Sequence, residues 1–221
     1  MQKKILVIDD EPQIVEICID YIRSSGFTGI SASNGRDGLE LVKLERPDLV
    51  VLDLMMPEMD GYEVCRRLRK ENTIPIIILT ARVEESDMLV GLELGADDYI
   101  TKPFSPRQLI ARIKTVLRRA GSESPNEVIR SGRVELDRSH YQIMISERKI
   151  AVTPTEMEIL ILLVGHPGRI FSRGQLLTAA HGVSFESYER AIDSHIRNLR
   201  RKLEPDEIIQ TVYGVGYKFI V

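Results

Sequence analysis

Three carboxylates stand at the ends of apolar runs: Asp9 and Asp10 close Ile5-Leu6-Val7-Ile8, and Asp53 closes Leu49-Val50-Val51-Leu52. Like charges in one crevice repel and raise a pKa unless a cation lies among them. The group therefore calls for a hard, oxygen-preferring divalent ion such as Mg2+. Two more polar residues end apolar runs, Thr80 after Ile76-Ile77-Ile78-Leu79 and Lys102 after Tyr99-Ile100-Thr101. A carboxylate, a divalent ion, a hydroxyl and an ammonium converging on one point suit phosphoryl transfer, in which charge must be neutralised on several oxygens at once. On that reading Asp53 is the nucleophile that forms an acyl phosphate. Asp9 and Asp10 hold the metal, Thr80 donates to a phosphoryl oxygen, and Lys102 supplies the opposing charge. Singly, each has a plainer role: Asp10 a helix cap, Thr80 a strand terminator, Lys102 a solvated cation. Their joint occurrence at successive run ends favours the shared site.

Residues so far apart in sequence meet only if those runs lie side by side. Through residue 119 the chain alternates apolar runs at 4–9, 27–32, 48–54, 75–80 and 97–101 with amphipathic stretches. Helix starts are signalled by Pro12 after Asp10, Asn34 before Gly35, Asp60 before Gly61 and Ser105 before Pro106. Five strand-helix repeats predict an α/β flavodoxin-like fold, a five-stranded doubly wound parallel sheet. In such a sheet ligands bind at the carboxyl ends of the strands.

The 221 residues are enough for two domains, and 43% hydrophobic with 29% charged content is that of an ordinary globular chain. No apolar stretch approaches the roughly 20 residues of a membrane span, and the basic start Met1-Gln2-Lys3-Lys4 is broken by Asp9-Asp10-Glu11-Pro12 before a leader could form. A cytoplasmic protein without a membrane partner is expected. Cys18 and Cys65, the only two cysteines, sit in apolar helical patterns and read as reduced, buried thiols.

Residues 120–126 lose all periodicity and read as a linker between a first domain, 1–119, and a second, 127–221. The second domain shows strand-like alternation around Arg133-Val134-Glu135-Leu136 and Tyr141-Gln142-Ile143-Met144-Ile145, then a turn at Glu147-Arg148-Lys149 before Ile150-Ala151-Val152. Three helices follow, opened by Thr153-Pro154-Thr155-Glu156, Ser172-Arg173-Gly174-Gln175 and Ser187-Tyr188-Glu189-Arg190, and then a hairpin turning at Tyr213-Gly214-Val215-Gly216. This is the order of an α+β winged helix-turn-helix. Neither half is strongly basic, with 17 basic and 20 acidic residues through residue 120 and 13 of each after it, so a nucleic-acid reading needs local clustering. The third helix supplies it. Ile192, Ile196, Leu199 and Leu203 form an apolar stripe, and Arg197, Arg200, Arg201 and Lys202, with His195 and Asn198, surround the rest.

Asp9-Asp10-Glu11-Pro12, Asp53-Leu54-Met55-Met56-Pro57, Asp60-Gly61, Leu79-Thr80-Ala81, Gly95-Ala96-Asp97-Asp98-Tyr99 and Lys102-Pro103-Phe104 together resemble the receiver domain of bacterial response regulators. The second half resembles the effector domain of the OmpR/PhoB family. The resemblance implies that a sensor histidine kinase phosphorylates Asp53, that the carbonyl of Met55 completes the Mg2+ shell, that Lys102 precedes a cis proline, and that Thr80 and Tyr99 form a switch pair. It further implies a regulator of transcription that dimerises on phosphorylation and binds promoter DNA with direct repeats through Arg190, Ser194, His195, Arg197, Asn198, Arg200, Arg201, Thr211 and Tyr213. RNA polymerase is the implied downstream partner.

Two features depart from that family. Tyr213 stands where wings commonly carry arginine, and the loop Ala180-His181-Gly182-Val183-Ser184-Phe185-Glu186 lacks the usual tryptophan. The implied dimer face comprises the helix between the fourth and fifth strands, the fifth strand with Asp97 and Asp98, and the helix after it. Glu93 with Lys114, and Asp98 with Arg112, match its inter-subunit ion pairs, whereas Met88 and Gln108 stand uncharged at a third. A dimer with fewer ion pairs and less salt sensitivity is expected. Two other classes compete. A metal-dependent phosphatase would carry an early Asp-x-Asp on its first strand, which Val7-Ile8-Asp9-Asp10-Glu11 does not supply, and a basic helix can also serve a protein or RNA partner.

Overall fold

In the computed structural model, residues 2–80, 94–120, 128–138, 140–181 and 189–220 are described, with the side chains of residues 119, 120, 181, 189 and 190 left aside. The chain forms two compact units, Met1–Arg118 and Arg119–Val221.

The first unit is a five-stranded parallel sheet in the order β2-β1-β3-β4-β5. Its strands are β1 (Lys4–Ile8), β2 (Thr28–Ala32), β3 (Leu49–Asp53), β4 (Ile76–Thr80) and β5 (Asp98–Thr101). The helices described here are α1 (Pro12–Ser24), α2 (Gly35–Glu45), α3 (Gly61–Glu71) and α4 (Pro106–Ala120). Every residue of β3 and β4 is buried, because both faces are covered. The two-residue strand period divides the apolar side chains between those faces. Ile5, Val7, Leu49, Val51, Ile77 and Leu79 pack toward α1 and α4; Leu6, Ile8, Val50, Leu52, Ile76 and Ile78 pack toward α2 and α3. Helix starts follow local chemistry: the Asn34 and Asp60 side chains accept from the backbone N–H of Asp37 and Glu63.

The second unit begins with an antiparallel sheet of β6 (Val128–Ser131), β7 (Val134–Asp137), β8 (Gln142–Ile145) and β9 (Arg148–Ala151). The turn expected at Glu147-Arg148-Lys149 lies one residue earlier. Ser146 and Glu147 take φ of 46° and 72°, the two-residue turn whose twist suits a hairpin, and Arg148 already pairs with Ile145. Next come α5 (Pro154–Val164), β10 (Ile170–Ser172), α6 (Arg173–His181), α7 (Glu189–Leu203), β11 (Ile209–Val212) and β12 (Gly216–Phe219). Thr153 and Glu156 cap α5 reciprocally. The terminal hairpin is joined by β10, a third strand that three residues of sequence did not signal. One core gathers Leu136, Ile143, Leu160, Leu176, Ile196, Leu199 and Phe219. Among the described residues no helix is long and apolar enough to cross a membrane.

Candidate functional site

Strand register brings the acids together. Val7 lies beside Val51 and Ile8 beside Leu52, so one further step along both strands sets Asp9 against Asp53. Both acids are buried, and Asp10 is half-buried at the rim. Carboxylate oxygens of Asp9, Asp10 and Asp53 all lie within 4.8 Å of one another. Lys102, just past β5, reaches back to the group. Its Nζ donates to Asp9 Oδ2 at 2.9 Å, Asp53 Oδ2 at 3.0 Å and Glu11 Oε1 at 2.9 Å. Its backbone N–H is held by Thr80 O at 2.7 Å, and the Lys102–Pro103 peptide is cis.

The remaining oxygens are also committed. Asp9 Oδ1 accepts from the Glu11 N–H at 2.9 Å and Asp53 Oδ1 from the Met55 N–H at 3.2 Å. Burial raises the Asp9 pKa; its bonds to Lys102 and Glu11 act the other way, while the Asp53 charge raises it further. Burial alone would lower the Lys102 pKa, but bonds to Glu11, Asp9 and Asp53 carry it above the usual lysine range. The ammonium therefore stays charged. Three carboxylates of this spacing, hard in character and with one partly destabilised in its charged form, fit a divalent cation.

Thr80 is fully buried at the end of β4, and Tyr99 is half-buried on β5 beside the core that includes Ile78 and Ala96. Met55 is exposed. Two contributors were missed in sequence. Glu11 is a third anionic partner of Lys102, and its place in the Asp9-Asp10-Glu11 run was the available signal. Gly61 lets α3 start against the strand end, since a Cβ there would clash with the Asp53 carbonyl oxygen and Leu54 Cα.

The expected dimer residues separate. Asp97 is 1% exposed; its Oδ2 accepts from Arg69 Nη2 at 2.8 Å and the Ile76 N–H at 3.0 Å, so its carboxylate braces the interior of its own unit and is not on an outer face. Arg69 completes that brace through the carbonyls of Gly95 and Ile74. Asp98, expected to pair with Arg112 of a second copy, is buried and bonded to Arg112 of the same chain at 3.3 Å. Both contacts form because adjacent elements of one chain lie within side-chain reach. Gln108 and Lys114 are exposed on α4. Met88 and Glu93 fall outside the described residues.

The DNA-facing expectations divide similarly. Arg197 and Arg201 are exposed, and Asn198 is half-buried beside them. Ser194 and His195 are 3% and 1% exposed, on the packed side of α7. Arg200 is turned inward: it donates to Ile209 O at 3.2 and 2.8 Å and to Thr211 Oγ1 at 2.8 Å. Arg200 and Thr211 thus bond each other across α7 and β11. Lys202 is held by Glu156 Oε2 at 2.6 Å. Tyr213 is 93% exposed at the hairpin tip, where Gly214 takes φ of 73°. The Arg190 side chain and most of the 180–186 loop fall outside the described residues.

Residues 5–114 match the family described as "Response regulator receiver domain", and residues 147–219 the family described as "Transcriptional regulatory protein, C terminal". The chain is 42% identical to the alkaline phosphatase synthesis transcriptional regulatory protein PhoP of Bacillus subtilis, over 99% of this chain and 97% of the relative. It is 40% identical to the phosphate regulon transcriptional regulatory protein PhoB of Escherichia coli, over 99% and 98% respectively. Among solved structures it is similar to the Thermotoga maritima response regulator DrrB, an OmpR/PhoB homologue, with 30% identity, full coverage of both chains and a TM-score of 0.53.

Proposed function

Since the chain belongs to the OmpR/PhoB family of response regulators, transcription regulators with a receiver and a DNA-binding domain rather than enzymes, we propose that Asp53 accepts a phosphoryl group from a sensor histidine kinase. A carboxylate oxygen of Asp53 forms the P–O bond as the P–N bond to the kinase histidine breaks, and the released imidazole nitrogen takes a proton. Asp9, Asp10 and Asp53, with the carbonyl of Met55, would hold Mg2+, which when bound neutralises charge on the phosphoryl oxygens. Lys102 supplies a fixed cation from the other side, and the Thr80 hydroxyl donates to a phosphoryl oxygen. Tyr99 follows the movement of Thr80 and so relays the modification.

The observation that carries this reading is the contact of Lys102 with both Asp9 and Asp53, which gathers three strand ends about one buried carboxylate. Acetyl phosphate with Mg2+ should label the protein once, and Asp53→Asn should remove the label. Labelling that persists in the variant would sink the assignment.

Phosphorylation would promote a receiver dimer that includes exposed Gln108 and Lys114, and place two DNA-binding domains on direct repeats in promoter DNA. Arg197, Asn198 and Arg201 of α7 meet the major groove, with Arg190 at its start, while Tyr213 carries the wing to the backbone. The protein acts in the cytoplasm, with RNA polymerase as its downstream partner.

A further inference from the structure

One tyrosine links both helices of the DNA-binding motif to the wing hairpin. Tyr217 of β12 is buried, and its hydroxyl donates to Asp193 Oδ1 of α7 at 2.7 Å. Arg173, the first residue of α6, donates from Nε to the same oxygen at 2.7 Å. The guanidinium carbons of Arg173 and Arg200 lie 5.4 and 5.7 Å from the centre of the Tyr217 ring, within cation–π reach. Arg200 in turn grips β11 through Ile209 O and Thr211 Oγ1. Burial, then the Asp193 bond and charge, raise the Tyr217 pKa, so the phenol keeps the proton it donates.

These contacts supply what the hairpin lacks by itself. Its two strands have four residues each, and its tip, Tyr213 to Val215, is exposed. An isolated two-stranded ribbon of that length is marginal in water, and a wing free to pivot would have to be ordered each time DNA bound. Gly216 permits β10 to brace β12 closely, since a Cβ there would clash with the Phe171 carbonyl oxygen.

We propose that Tyr217, with Asp193, Arg173 and Arg200, is a positioning cluster that locks the wing to the recognition helix α7, so that DNA meets both as one preorganised surface. The inference rests on α7 and the hairpin being the elements that touch DNA. It assigns Arg200 to geometry, and leaves the phosphate and base contacts of α7 to Arg190, Arg197, Asn198 and Arg201.

The test uses the full chain and two duplexes: one recovered from random-sequence DNA by selection with the wild type, and a scrambled duplex of the same length. Tyr217→Phe keeps the ring and its packing but removes the hydroxyl. It should weaken the selected duplex by about 3- to 10-fold, with unchanged affinity for the scrambled duplex and an unchanged slope of log affinity against log salt. Asp193→Asn should do the same, and the double variant should lose less than the two losses multiplied, as expected within one network. Amide exchange in β11 and β12 should quicken in the free variants while thermal unfolding remains cooperative. Arg197→Ala, as a phosphate-contact control, should weaken both duplexes and lower the slope by about one. Undiminished selected-duplex affinity with unaltered amide exchange in folded Tyr217→Phe would overturn the proposal, as would a reduced salt slope in Arg200→Ala. A wild-type protein that cannot distinguish the two duplexes would instead overturn the DNA-contact premise.

Discussion

The acidic crevice of the receiver and the basic helix of the DNA-binding domain carry opposite charges and obey different rules of placement. In the crevice, residues from three strand ends converge because a parallel sheet fixes register. Once Val7 pairs with Val51, Asp9 must neighbour Asp53. On α7 a helical pattern identifies a basic face, but packing then divides it: Arg197 and Arg201 face outward, Arg200 bonds β11, and Lys202 bonds Glu156. A cluster of one charge is therefore better evidence for a site when several strands define it than when one helix does.

The largest expected contrast lies in the crevice. Asp53→Asn should abolish phosphoryl incorporation, measured with radiolabelled acetyl phosphate. Lys102→Met should leave Asp9, Asp53 and Glu11 without their shared ammonium. Its melting temperature should fall in chelator, and the gain on adding Mg2+ should exceed that of the wild type. An equal gain would mean that Lys102 and the cation do not balance the same carboxylates.

Asp97 separates a role inside the receiver from one at a dimer face. Removing it would leave Arg69 buried without its counter-charge, so Asp97→Ala should cost the receiver about 3 kcal/mol in urea unfolding. A residue serving only an interface between copies would leave monomer stability unchanged. The basic helix divides by a smaller effect. Arg201→Ala should lower the salt slope of DNA binding by about one, whereas Lys202→Ala should leave the slope alone and destabilise the fold through the exposed need of Glu156 for a partner. The smallest effect concerns assembly. Phospho-dimer dissociation should change only a few-fold between low and high salt, since Met88 and Gln108 are uncharged where the family carries a third ion pair. A steep, many-fold loss by sedimentation would restore inter-subunit ion pairs as the main contact.

Much of this protein was legible before its structure. Apolar runs located all five receiver strands, most sharply β1, β3 and β4, because strands buried on both faces tolerate little else. Asn34, Asp60 and Thr153 announced helix starts because a side chain that caps a helix acts over only three residues. Less legible were β10, too short for a period, and Ser194 and His195, whose polarity suggests a surface that the tertiary packing denies them. Glu11 was visible as an acid but not as a partner of Lys102, a contact that spans most of the receiver's length.

By itself, the amino-acid sequence determined which residues could do chemistry and the order of elements that carries them, because strand periodicity, helix caps and turn residues are local properties. Only the tertiary structure decided which of those residues are free to act. Asp97, Asp98, Arg200 and Lys202 find partners within their own chain, and whether a charged side chain meets such a partner or solvent depends on elements distant in sequence that packing brings within a few ångströms.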